Sequence, residues 1–167
     1  FGNTAFSCAD IFFTDSNHGW LCGQDNQILP QIHHTSDGGA TWTRQDLPFS
    51  GANGEVTRVR FADALEGWAS VSSLYITPAG PVLHTTDGGN TWEVQFSTAL
   101  HYNHLDVQSE NRIAVAAVQI LYPSAVKVFV SQDGGENWSS SAPPVRNYTE
   151  GIDYAGDSVW IASTGSG

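Results

Sequence analysis

Methionine is absent from the 167 residues, lysine occurs once as Lys127, and cysteine occurs twice. Six Lys and Arg stand against seventeen Asp and Glu, a formal charge of −11. That balance excludes nucleic acid or an anionic membrane surface as a partner, because both need clustered positive charge. No apolar run approaches the roughly 20 residues of a membrane-spanning helix, so no membrane insertion is expected. Helical patterning is missing too. No ten-residue window keeps a 3.6-residue period, and Gly, Pro, Ser and Thr interrupt every candidate. The two cysteines, Cys8 and Cys22, fall on adjacent strands of one unit. A disulfide between them and two free thiols are both open readings. A chain without methionine is not expected to be a primary translation product.

What is present is a repeat. Thr35-Ser-Asp-Gly-Gly-Ala-Thr-Trp42 recurs as Thr85-Thr-Asp-Gly-Gly-Asn-Thr-Trp92 and as Ser131-Gln-Asp-Gly-Gly-Glu-Asn-Trp138. Spacings near 50 residues mean stacked copies of one supersecondary unit. Asp-Gly between alternating apolar runs is a hairpin signal. The carboxylates of Asp37, Asp87 and Asp133 are expected to accept hydrogen bonds from their own turns. The glycine pairs, which include Gly39, Gly89 and Gly135, permit positive φ. Trp42, Trp92 and Trp138 are expected to be largely buried under their hairpins.

A second phrase precedes each turn. It runs Ile11 to Gly23, Val59 to Ser70, Leu105 to Ala116 in degenerate form, and Ile152 to Ser163. Each copy is an alternating strand, a polar turn and another apolar strand. Together the phrases give four strands per unit, and four-stranded units at this period describe an all-β propeller. The single domain spans 1–167, with repeat units at roughly 1–50, 51–100, 101–146 and an incomplete 147–167. About three and a half blades are present. A piece of a larger propeller is the favoured reading, ahead of a small four-bladed ring or a partial ring completed by another chain. An unclosed stack should leave an exposed strand edge.

The turn phrase resembles the Asp-box, or BNR repeat, with Asn137 where that family has threonine. Together with the Phe-x-Asp and Gly-Trp phrase, it is most similar to the photosystem II stability/assembly-factor-like propellers. The resemblance implies that the box residues are structural and that ligands meet the opposite face. It implies a non-catalytic, extracytoplasmic scaffold that binds a protein partner, or other copies or segments that complete the propeller. A glycan is the further candidate partner, and neither a cofactor nor a metal is implied. The loops of that opposite face hold Tyr102, Tyr122, Arg146 and Tyr148, residue types that suit an interface. The second function class is a piece of a glycan-processing hydrolase, sialidase-like or xyloglucanase-like. The five arginines carry no Phe/Tyr-Arg-Ile-Pro phrase, and Glu55 and Glu150 sit two blades apart, too far for a carboxylate pair flanking one bond.

Overall fold

A computed structural model describes residues 5–49, 53–72, 80–98, 100–119, 125–143 and 148–164, which hold fourteen strands and no helix. The first sheet is β1 (Phe6–Phe13), β2 (Gly19–Asp25), β3 (Pro30–Thr35) and β4 (Thr43–Gln45). The second is β5 (Glu55–Phe61), β6 (Gly67–Ser72), β7 (Gly80–Thr85) and β8 (Glu93–Thr98). The third is β9 (His101–Ser109), β10 (Arg112–Gln119), β11 (Ala125–Ser131) and β12 (Ser139–Ser141). The fourth holds only β13 (Tyr148–Ala155) and β14 (Ser158–Thr164). Each sheet is an antiparallel meander in chain order, so it is one propeller blade. The blades stack consecutively through their first strands, with β5 against β1 and β9, and β13 against β9.

Every first strand carries a bulge at the same place. The extra residue is Ala9 in β1, Thr57 in β5, Asn103 in β9 and Glu150 in β13. A bulge shifts the alternation by one. Val56 can therefore share a face with Val59 and Phe61, although strict period-two alternation would separate Val56 from the other two. All three are buried against the first blade, with Trp20, Cys22 and Ile32. Leu105, Ile113 and Val115 build the equivalent core between the second and third blades. Polar groups stitch the first strands together. Asp10 accepts from the backbone N–H of Val59, and Asp106 from that of Tyr154. The Thr57 hydroxyl donates to the carbonyl of Tyr102.

Outer strands are joined by glutamine. The side chain of Gln45, at the end of β4, enters the turn of the second blade. Its amide N–H donates to the Gly88 carbonyl at 2.8 Å, and its oxygen accepts from the Trp92 indole at 3.1 Å. Trp20 donates to the same Gly88 carbonyl at 3.0 Å. Gln95 repeats the insertion one blade on, donating to Gly134 at 2.7 Å and accepting from Trp68 at 2.9 Å. Ser141 stands at this place in β12, three residues after its tryptophan, and is too short to do the same.

The glutamines explain the second glycine of each turn. A Cβ on Gly89 would stand 2.2 Å from the Gln45 amide, and one on Gly135 would stand 2.1 Å from that of Gln95. On Gly39 it would meet only the Trp42 ring, at an ordinary 3.5 Å. All three glycines have φ between 86° and 90°. Alanine should cost each about 1–2 kcal/mol in backbone strain. Gly89→Ala and Gly135→Ala should lose about 1–3 kcal/mol more by overpacking. Urea denaturation of the three variants checks this; equal losses at all three positions would refute the wedge.

Candidate interaction surface

The repeated turns form one face. Thr35 donates its hydroxyl to Asp37 at 2.7 Å, and the same oxygen accepts from the Gly39 N–H at 2.9 Å. Asp37 in turn accepts from the Thr41 N–H at 2.8 Å and the Thr41 hydroxyl at 2.6 Å. Thr85, Asp87 and Thr91 repeat this network. Asn137, the departure from the motif, substitutes its side-chain amide for the threonine hydroxyl and donates to Asp133 at 2.8 Å. The first glycine of each turn donates its N–H to the preceding β1–β2, β5–β6 or β9–β10 turn, at Asn17, Leu65 and Asn111. Both kinds of turn therefore share a face. The three carboxylates are spent on their own turns and do not converge on a pocket. Trp92 is buried, while Trp42 and Trp138 are half-buried, so burial under the hairpin is less complete than the motif predicts.

The hydrogen bonds from Thr41 hold the Asp37 carboxyl down to about 2, from an ordinary 3.8. Asp87 and Asp133 are lowered by the same kind of donor.

A cavity of about 400 Å³ lies on this turn face, lined in part by Glu66, His84, Glu110 and Asp133. His84 is paired with Glu66 at 2.9 Å. The first-strand arginines form a second charged zone. Arg58 and Arg60 are two apart on the regular part of β5 and share a face. Arg60 is paired with Asp10 and lies over the Phe12 ring at 5.5 Å. Arg58 donates to the Thr57 carbonyl at 2.7 Å and reaches His104 at 3.4 Å. Burial raises the nearby Glu55 carboxyl, and Arg58 opposes the rise. Arg112 points elsewhere, toward Asp157 at 2.7 Å. Arg44 is on the outer strand β4, so the described arginines do not converge in threes. His101 approaches Ser72 and His104 approaches Arg58.

The opposite face holds the β2–β3 loop and the segments between blades. Tyr102 does not belong to its surface. It lies inside β9, fully buried, with its ring 6.4 Å from Phe129 and 6.5 Å from Phe96. The bulge at Asn103 is the reason, because it lets Tyr102 and Leu105 point into the same core. Burial pushes its hydroxyl up to about 12. Tyr122 and Arg146 lie outside the described residues, and the backbone of Tyr148 opens β13. Motif reading missed Ile28. It has φ of 61°, rare for a β-branched residue, and is 51% exposed. Asp25 and Gly54 fix this backbone. The Ile28 N–H donates to the Asp25 carbonyl, and Gly54 donates to the Ile28 carbonyl at 2.9 Å.

The cysteines are both free. Cys8 is paired with Gly23 and Cys22 with Asp10, so the thiols leave opposite faces of the sheet. Cys8 is exposed and Cys22 is buried between the blades. A bridge is therefore not formed.

Two measurements follow from this geometry. The Asp37 carboxyl should titrate near pH 2 by carbon-detected NMR, and a midpoint at the ordinary 3.8 would contradict the turn network. A carboxylate with a lowered folded value contributes stability above its unfolded value and loses it on acidification. The turn bonds should therefore weaken between about pH 4 and pH 2. Tyr102→Ala should destabilise the fold by about 3 kcal/mol or more, as large aromatic truncations in cores do. A near-neutral denaturation midpoint for that variant would place the ring back on the surface.

The model of the family described as photosynthesis system II assembly factor YCF48 matches residues 3–166. The photosystem II assembly lipoprotein Ycf48 of Synechococcus sp. (strain CC9902) is 27% identical over 161 residues, covering 95% of this chain and 44% of the relative. The chloroplastic photosystem II stability/assembly factor HCF136 of Oryza sativa subsp. japonica is 28% identical over 139 residues, covering 79% of this chain and 30% of the relative. The chain thus spans less than half the length of these curated relatives. A solved structure described as YCF48 bound to D1 peptide superposes with a TM-score of 0.63 at 25% identity, covering 83% of this chain and 41% of that one. Three Asp-box blades and a fourth begun, matched along nearly their whole length, make this chain a member of the photosystem II assembly factor YCF48 family.

Proposed function

We propose that this chain is a non-catalytic scaffold that holds a polypeptide during assembly of a larger complex, outside the cytoplasm. The observation that carries the reading is its likeness to the YCF48 structure bound to D1 peptide. The names of the relatives describe assembly factors, one a lipoprotein and one chloroplastic. The contact is placed on the face opposite the Asp-box turns. The turn face is satisfied by its own hydrogen bonds, whereas the opposite face holds the strained, exposed Ile28. Backbone strain of this kind costs about 1–3 kcal/mol and persists where the structure fixes it, often at contact sites. The repeat reading of the sequence assigns Tyr122, Arg146 and Tyr148 to the other loops of that face. Aromatic and Arg side chains are the common anchors of such interfaces.

A D1 peptide titrated into the chain, followed by tryptophan fluorescence or calorimetry, tests the reading. Saturable binding is expected. Arg146→Ala, Tyr148→Ala and Ile28→Asn should each weaken it about tenfold or more, or ~1.4 kcal/mol. Ile28→Asn should leave the thermal midpoint unchanged or higher, because Asn tolerates positive φ. Asn90→Ala, on the turn face, should leave binding unaltered. Loss of binding in Asn90→Ala alone would move the site to the turn face. Turnover of sialosides or β-glucans that disappears in Glu55→Gln would replace the scaffold with a hydrolase.

A further inference from the structure

The first and second blades each hold a histidine at the same place, with different partners. His34 on β3 is in register with Trp20, and His84 on β7 with Trp68. Each imidazole stacks on its tryptophan, at 4.8 Å and 28° in the first blade and at 4.7 Å and 15° in the second. The further partner comes from the position two before the tryptophan. In the second blade this is Glu66, whose Oε1 lies 2.9 Å from His84 Nε2. In the first blade it is His18, whose ring lies 6.2 Å from that of His34 at 15°. His34 Nε2 is buried and has no hydrogen-bond partner among the described residues.

The two histidines therefore meet a proton differently. A proton on His84 Nε2 points at a carboxylate. A proton on His34 Nε2 has no acceptor and brings a charge toward another imidazole. Both tryptophan faces offer the same cation–π attraction, so that contact does not separate the blades. A buried charge without an acceptor is the costly case. Other charged groups near β3 are turned away or engaged. Arg44 is in register with His33, on the other side of the sheet. Arg60 is paired with Asp10, and Arg58 reaches His104. Asp63 and Asp87 accept from the backbone of their own turns. Asp15 is held against His18 Nδ1 at 2.9 Å. Burial, and after it the charge of His18, lowers the proton affinity of His34 below the ordinary 6.5.

We propose that His18 and His34 make the joint between the first and second blades an acid-sensitive clasp. Trp20 couples the pair to the joint. One face of its ring is stacked by His34, and Phe61 of the second blade stacks on it at 3.6 Å. Its indole donates to the Gly88 carbonyl at 3.0 Å. A proton on His34 favours states in which that ring reaches water, and Trp20 then loosens from Phe61 and Gly88. A basic group with a lowered folded value stabilises the fold above its unfolded value and loses that contribution on acidification. The joint should therefore be closed above about pH 6.5 and open progressively below it. The Glu66–His84 pair keeps the next joint closed over the same range. The clasp stands at the turn face, apart from the loops of the proposed peptide contact, so either assignment can fail alone.

Hydrogen exchange of the Trp20 and Trp68 indole N–H groups, read by NMR and corrected for its intrinsic pH dependence, tests this. Between about pH 7 and pH 5 the protection of Trp20 should fall about fivefold or more, while that of Trp68 holds. His33 and His101 are lowered as well, and the comparison of the two indoles separates their global effect from the local one. His18→Glu gives the first blade the carboxylate that the second has, and Trp20 should then stay protected. Equal loss at Trp20 and Trp68 in the unaltered chain, or a loss at Trp20 that survives His18→Glu, overturns the proposal. Should His18→Glu not fold beside Asp15, His34→Gln decides. An amide takes up no proton in this range, so Trp20 protection should become independent of pH. Protection that still falls in His34→Gln shows that His34 is not the sensor.

Discussion

A glutamine carboxamide wedged into the next blade's turn is the contact on which the stack of blades depends. At Gln45 and Gln95 the same group donates to a glycine carbonyl and accepts from a tryptophan indole. A satisfied hydrogen bond contributes only about 1 kcal/mol, but a buried amide left unpaired costs about 1–3 kcal/mol. At Gln45 both partners belong to the next blade, so blades that slide or tilt would break both bonds while keeping the groups dry. At Gln95 the Gly134 bond crosses to the next blade and the Trp68 bond stays within its own. The contact therefore selects one blade-to-blade geometry more than it adds stability. It also accounts for the second glycine of the box at Gly89 and Gly135, where the amide occupies the space a Cβ would need.

The Asp-box serves that contact. Thr85 and Asp87 hold the turn so that the Gly88 carbonyl points sideways, toward the preceding blade, where Trp20 and Gln45 reach it. The carboxylate is consumed in shaping backbone, and its lowered proton affinity reports those bonds. The apolar surface between blades supplies the bulk of the driving force, through rows such as Val56, Val59 and Phe61. Ile11 and Phe13 hold the equivalent places on β1 and are exposed among the described residues.

The charge arrangement differs between the two faces. Carboxylates crowd the turn face, around Glu66, Glu110 and Asp133. Arg60 is engaged by Asp10 on β1, and Arg58 by the Thr57 carbonyl of its own strand and by His104 on β9. Ile28 spends backbone strain to stand exposed on the other side.

The four-stranded meander, the place of each Asp-box and the count of three and a half blades were legible in the sequence. Motif chemistry is local, and Asp-Gly-Gly shapes its turn wherever it is placed. The bonding of Asn137 in place of threonine follows from the same local rule. What the sequence did not reveal came from one extra residue per first strand. The bulge at Asn103 turns Tyr102 inward, although a tyrosine beside a loop reads as exposed. The bulge at Ala9 leaves Cys8 facing away from Cys22, so adjacent strands carry cysteines that cannot meet. No residue type marks such a bulge, because it is selected by which face must be buried against the neighbouring blade. The role of Gln45 and Gln95 was hidden for the same reason. Three residues after a tryptophan, a glutamine looks like any polar end of a strand, and only the turn of the next blade, 43 residues away for Gln45 and 39 for Gln95, gives its amide a glycine carbonyl. The sequence by itself determined the blades; packing one blade on the next decided which side chains are core and which are exposed, since that depends on groups far apart in the chain.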